Sequence, residues 1–62
     1  MNSEVRKRFN KWREENYYPE LKVVAKELNV NYQHFTKWVK GRTNYSESYL
    51  NKIDLFLKSK NY

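Results

Sequence analysis

The side chains best suited to chemistry in this sequence are four polar residues that recur at helical spacing. Gln33, Thr36, Lys37 and Lys40 stand three or four positions apart, and at 100° per residue an α-helix gathers them into one stripe. Phe35 and Trp38 fall on the opposite side. Such a helix buries an aromatic edge and holds out groups that suit base edges in a duplex groove. Glutamine meets adenine with a donor and an acceptor together, lysine donates to guanine O6 and N7, and the threonine methyl meets that of thymine. Tyr32 lies beside the stripe in the first turn. Every surface helix also carries a polar stripe, so the elements around this one must decide what it is for.

Little else in the chain points to chemistry. Cys 0 excludes a disulfide or a thiolate zinc site, and His34, the one histidine, has no ligand or triad partners. A single glycine excludes a Gly-rich phosphate loop and a dinucleotide fingerprint, each of which needs several. Glu14 and Glu15 are adjacent carboxylates, but neighbours on a helix diverge by 100° and do not face one substrate. The expectation is a protein that is not an enzyme and has no cofactor, no metal and no small-molecule substrate. No apolar run exceeds three residues, as at Leu55, Phe56 and Leu57, and no hydrophobic signal segment follows Met1, which predicts a cytoplasmic location without membrane association. Thirteen Lys and Arg against seven Asp and Glu leave a net charge of +6 on 62 residues, with a pI near 9.7. That field draws polyanions, nucleic acid first, then an anionic membrane surface or an acidic protein.

The elements that must position the stripe are four short helices in one domain. A chain of this size buries only about 60% of its unfolded surface, so its 11 aromatics matter for the core. Helix 1 starts with Ser3 as N-cap and Glu4 in the first turn, carries Val5, Phe9 and Trp12 as its apolar stripe, and ends near Asn16. Its Arg6, Lys7, Arg8, Lys11 and Arg13 read for the most part as a solvated face, the alternative being proximity to a phosphate backbone. Tyr17 and Tyr18 read as half-buried residues sealing a helix end, as does Tyr45. Pro19 suits the first position of helix 2 and Glu20 its dipole. Leu21, Val24, Ala25 and Leu28 then form one apolar face. Asn29 tolerates the left-handed stop, and Asn31 caps helix 3, whose apolar side is Phe35, Trp38 and Val39 and whose stop is Gly41. Ser46 caps helix 4, about Glu47 to Lys58, with Leu50, Ile53, Phe56 and Leu57 inward. Ser59 to Tyr62 should fray unless something docks on them.

Helices 2 and 3 meet the needs of a helix-turn-helix: Ala25 allows a close approach, Asn29 makes the turn, Val30 plugs the corner, and Asn31 caps a helix whose N-terminus faces outward. This run, Val24-Ala25-Lys26-Glu27-Leu28-Asn29-Val30-Asn31, resembles the first motif helix and turn of the lambda-repressor-like domains of phage repressors and Cro proteins. Phe35-Thr36-Lys37-Trp38, followed by Gly41, resembles the middle of that family's recognition helix. Asn44, Ser46, Leu50, Lys52, Ile53 and Leu57 continue the likeness, which covers roughly Leu21 to Leu57. Three positions depart from the pattern: Leu21 stands where the family commonly has a phosphate-holding Gln, Asn29 where it has Gly, and Tyr45 where it has Pro.

The resemblance implies an all-α, lambda-repressor-like bundle over residues 1–62, with the helix-turn-helix at about 19–41 and the recognition helix at about 31–40. It implies a sequence-specific, double-stranded DNA-binding transcriptional regulator of phage or mobile-element type, acting in a bacterial cell and nucleoid-associated when bound. The family's base-contacting positions fall on Tyr32, Gln33, Thr36 and Lys37, and its phosphate-contacting positions on Asn31, Lys40, Arg42 and Asn44. A homodimer on DNA would place two half-sites about 34–36 Å apart, although the family's fifth, dimerising helix has no counterpart here. The competing reading is the same fold used as a protein-interaction module, an antirepressor or an inhibitor of a host or phage protein; a third is non-specific or RNA binding through charge and tyrosines.

Overall fold

Four helices account for most of the chain in the computed structural model, which describes all 62 residues, Met1–Tyr62. They are α1 (Asn2–Glu15), α2 (Leu21–Leu28), α3 (Tyr32–Val39) and α4 (Glu47–Ser59), with no strand. None is long and apolar enough to cross a membrane.

Each helix buries the stripe that its periodicity marks out. Val5, Phe9 and Trp12 of α1, Val24, Ala25 and Leu28 of α2, Phe35, Trp38 and Val39 of α3 and Leu50, Ile53, Phe56 and Leu57 of α4 form one continuous core, joined by Tyr45. α1 packs on α4 and α3, and α2 packs on α3 and α4. Aromatic rings lock these layers together. The Phe9 ring meets Phe35 edge-on at 5.3 Å, Trp12 meets Phe56 edge-on at 5.0 Å, and Phe35 stacks with Trp38 at 6.0 Å. Such offset and edge-to-face pairs prefer defined angles and add to their area burial, so they hold α3 at one rotation about its axis.

The helix ends follow local rules with several differences from the sequence reading. Asn29 adopts φ 58°, ψ 48°, and the Val30 N–H reaches the Ala25 carbonyl at 3.0 Å, a Schellman closure with asparagine in the left-handed position. Asn31 caps α3, its side-chain oxygen accepting the His34 N–H at 2.9 Å. Gly41, at φ 79°, closes the other end as its N–H meets Trp38 O at 3.0 Å and the Arg42 N–H meets Lys37 O at 2.9 Å.

Ser3, by contrast, is inside α1, which starts two residues earlier than expected, at Asn2, with Met1 at the cap position and no side-chain cap. Asn2 is drawn into the helix because its side chain is bonded across the molecule. α2 starts at Leu21 after Glu20, whose extended backbone occupies the N-cap position, so Pro19 lies outside the helix rather than in its first turn. Ser46 holds the N-cap position of α4 but turns its hydroxyl to that of Ser48 at 3.3 Å.

Tyr17 and Tyr18 are not half-buried: they are 94% and 61% exposed, in consecutive left-handed conformations with φ 63° and 55°. The Tyr18 N–H closes α1 on the Arg13 carbonyl at 2.8 Å. Left-handed backbone costs a residue with a β-carbon about 1–2 kcal/mol. Arg13 offsets part of this, stacking its guanidinium 5.4 Å from the Tyr18 ring and donating to the Pro19 carbonyl at 3.3 Å. The segment after α4 is docked through its last residue. Tyr62 packs against the core, its N–H meets the Leu57 carbonyl at 2.8 Å, its carbonyl accepts from Arg8 at 3.0 Å, and its hydroxyl donates to Glu15.

Candidate nucleic-acid interface

Burial of Phe35, Trp38 and Val39 leaves α3 with a single outward face. On a 100° wheel Gln33, Lys37 and Lys40 lie opposite the centre of that buried arc, Thr36 and Tyr32 flank them on one side and His34 on the other. All are exposed except Thr36, which is half-buried. The Thr36 hydroxyl donates to the Tyr32 carbonyl at 2.9 Å, which commits its proton within the helix. Tyr32, Gln33, Thr36 and Lys37, the expected base-reading set, thus share one continuous surface with Lys40.

The second expected set surrounds both ends of the same helix. Asn31 and Asn44 are exposed carboxamides whose oxygens are each taken, by the His34 N–H and by Arg6 at 3.2 Å. With its oxygen occupied, an amide turns its NH₂ outward as a donor, the polarity a phosphate oxygen requires. At the start of α3 the N–H groups of Tyr32 and Gln33 belong to the first turn, where no intrahelical carbonyl is available. Lys40 and Arg42, both exposed, follow the last turn.

The charge of this region has one sign. From Leu28 to Ser46 there is no Asp or Glu, while Lys37, Lys40 and Arg42 are present. The ion pairs of the molecule lie elsewhere, Arg8 and Lys58 meeting Asp54 at 2.6 and 3.1 Å, so none of these three cations is neutralised by a carboxylate. Together the surface offers a basic field, outward amide donors and a helix N-terminus, a combination that favours a phosphate-bearing partner.

What positions the loop after α3 is a set of contacts that periodicity does not mark. Asn2 and Arg6, one turn apart on α1, reach across to it. The Asn2 oxygen accepts from the Trp38 indole and from the Tyr45 N–H, both at 2.9 Å, while its NH₂ donates to the Tyr45 carbonyl at 3.1 Å. The Arg6 guanidinium donates to the Trp38 carbonyl, to the Thr43 carbonyl at 2.9 Å and to Asn44, and lies 5.2 Å from the Trp38 ring. Arg6, Arg8 and Arg13 are therefore anchors within the protein rather than a solvated face, whereas Lys7 and Lys11 are exposed. A buried indole N–H requires an acceptor, the one signal in the sequence that asks for such a partner without naming it.

Tyr45 completes this side. It is buried, not half-buried, between His34 at 4.7 Å, Trp38 at 5.7 Å and Tyr49 at 4.9 Å. Its hydroxyl has no partner, and burial, helped by Tyr49, raises its pKa above the ordinary tyrosine value.

No enclosed site competes with this surface. The one concavity is lined by Glu4, Lys7, Arg8, Asn10, Lys11, Glu14 and Glu15, all from α1, and a single helix does not enclose a ligand. No three His, Asp or Glu side chains gather as a metal site would require. No protein-family model matches the chain, and no curated protein and no solved structure matches it significantly.

Proposed function

We propose that this chain is a sequence-specific double-stranded DNA-binding regulator of the phage repressor and Cro type, in which α2 and α3 form a helix-turn-helix and α3 enters the major groove. The observation that carries the reading is the combination at α3: a left-handed Asn29 turn and an Asn31 cap lead into a helix that buries Phe35, Trp38 and Val39 and holds out Gln33, Lys37 and Lys40, neither lysine being in an ion pair. An α-helix with its side chains is about 10–12 Å across, which suits a groove about 12 Å wide. Gln33, Lys37, Thr36 and Tyr32 would read base edges; Asn31, Lys40, Arg42 and Asn44 would fix register on the phosphates.

Selection from a random duplex library at about 150 mM salt, followed by sequencing, tests it, because that ionic strength suppresses binding through charge alone. An enriched motif is expected, near-palindromic if two copies bind together and a single half-site if one does. No enrichment from a folded sample would reject it.

A second reading, a protein-interaction module, is favoured by Tyr17, Tyr18 and Val23, apolar side chains that stand 61–94% exposed on the α1–α2 connection and α2. Leu21 also packs against the core where a phosphate-holding side chain would need to face out. Stable co-purification with one defined protein, together with no duplex preference, would establish it in place of DNA binding.

A further inference from the structure

We infer that Arg6, with Asn2, is a positioning residue that sets the phosphate-contacting loop of this protein without touching the nucleic acid, an inference that rests on the DNA-binding reading above. The loop Arg42–Tyr45 contributes two of the expected phosphate contacts, yet it contains no regular structure and follows a left-handed glycine. Left to itself such a segment samples many conformations, and its donors would have to be ordered at each binding event. Arg6 removes that cost in advance. Its planar guanidinium spans three acceptors on two parts of the chain, the Trp38 carbonyl in the last turn of α3 and the Thr43 carbonyl and Asn44 side chain in the loop. It thereby couples the end of the reading helix to the loop beyond it. The positive charge also sits at the C-terminal end of α3, where the helix dipole favours it.

The contact to Asn44 gives the clamp a direct consequence for binding. Because Arg6 occupies the carboxamide oxygen, the Asn44 NH₂ is held as the outward group, and a free amide would present either end. Asn2 fixes the far side of the same loop by pairing with both the N–H and the carbonyl of Tyr45, as a neighbouring strand would. The two residues lie at i and i+4, so one face of α1 holds the whole connection.

Lysine separates this role from a charge effect. It retains the cation of Arg6 but has no rigid fork able to bridge separated acceptors. Binding to the selected duplex and to mismatched duplexes would be measured for Arg6→Lys, for the double variant Arg42→Ala/Asn44→Ala, and for the triple combination, with helicity checked by circular dichroism at the same temperature. Arg6→Lys should remain helical, lose about tenfold in affinity on every sequence alike, and lower the slope of log affinity against log salt by about one as the Arg42 contact is lost. In the Arg42→Ala/Asn44→Ala background it should cost almost nothing further, because the groups it positions are gone.

Three results would overturn the inference while leaving the DNA-binding reading intact: Arg6→Lys binding like the parent, Arg6→Lys carrying its full loss in the double-variant background, or Arg6→Lys failing to fold, which makes Arg6 a stability residue only. A parent chain that binds no duplex would instead refute the reading beneath it. Amide exchange at Arg42 and Tyr45, the loop N–H groups bonded to the Lys37 carbonyl and to Asn2, checks the clamp without DNA, faster exchange in Arg6→Lys being the expected result and unchanged exchange the contrary one.

Discussion

Trp38 is the residue on which the orientation of α3 depends, and replacing it in two steps measures how. Its side chain is wholly buried against Phe9, Phe35 and Tyr45, its indole N–H donates to Asn2, and its ring carries the Arg6 guanidinium. Trp38→Ala removes the ring, at about 3–5 kcal/mol for a buried tryptophan. The whole stability expected of 62 residues is about 3–9 kcal/mol, so this change alone should remove from about a third to all of it. Trp38→Phe keeps most of the apolar area and removes the indole bond, about 0.5–1.5 kcal/mol, with a cavity contribution of similar size. About 1–3 kcal/mol is then expected, and at 4–8 °C per kcal/mol for a domain of this size that is a fall in Tm of roughly 4–24 °C. Urea and thermal unfolding followed by circular dichroism would read both. A Trp38→Ala protein with an unmoved transition would show that this face of α3 is not inward, and the polar stripe would then not face out. A Trp38→Phe loss as large as that of Trp38→Ala would place the energetics in the Asn2 bond rather than in packing.

The remaining predictions concern recognition, an orphaned hydroxyl and pH. Gln33→Ala and Lys37→Ala should each alter which base is preferred, at about 1–3 kcal/mol, whereas Arg42→Ala should weaken all duplexes alike; uniform losses from all three would argue against direct readout. If about six phosphates are neutralised, affinity should fall roughly 10³-fold between 50 and 200 mM salt, and a flat response would refute that number. Tyr45→Phe should raise stability by about 1 kcal/mol, since it deletes a buried hydroxyl that has no partner and would otherwise bear an uncompensated desolvation cost; a lower Tm would show that the hydroxyl is bonded. Stability should form a plateau with two declining limbs. Hydrogen bonds from Arg8 and Lys58 lower the pKa of Asp54, so its contribution is present above the ordinary carboxylate value of about 3.9 and is lost as pH falls through the lower folded value. The Glu15 bond raises the pKa of Tyr62, and burial raises that of Tyr45; their contributions are intact below about pH 10 and disappear as pH rises through the folded values. Asp54→Asn should flatten the acid limb and Tyr62→Phe part of the alkaline one, as read by Tm against pH.

The number of helices, their inward faces and the outward stripe of α3 were all legible in the sequence, because each depends on spacing within one helix. Val5, Phe9 and Trp12, or Phe35, Trp38 and Val39, reveal their common side through a period of 3.6 residues, whatever they later touch. Asn29, Asn31 and Gly41 were legible for a related reason: their roles at helix ends are set by their own backbone preferences and side-chain reach. The helix starts were less so. Ser3 and Pro19 have the right intrinsic chemistry for a first turn, but Asn2 is pulled into α1 by bonds to Trp38 and Tyr45, and the chain reaches α2 only after Tyr17 and Tyr18 have turned through left-handed conformations.

Tertiary structure alone decided which of the many polar residues became anchors. Arg6 and Lys7 are adjacent cations with no distinguishing local pattern, yet one clamps the loop after α3 and the other lies in solvent. The bonds of Arg6 cross 32 to 38 residues of sequence, and those of Asn2 cross 36 to 43. Tyr62, whose order depended on something docking there, is held by Arg8, Glu15 and Leu57 for the same reason. Contacts of that range exist only after the core has set the helices beside one another, because a hydrogen bond needs its partners within a few tenths of an ångström and a narrow cone of angles. Periodicity along the chain therefore determined the surface that α3 offers, while the packing of α1 against α3 determined how the loop beside that surface is held.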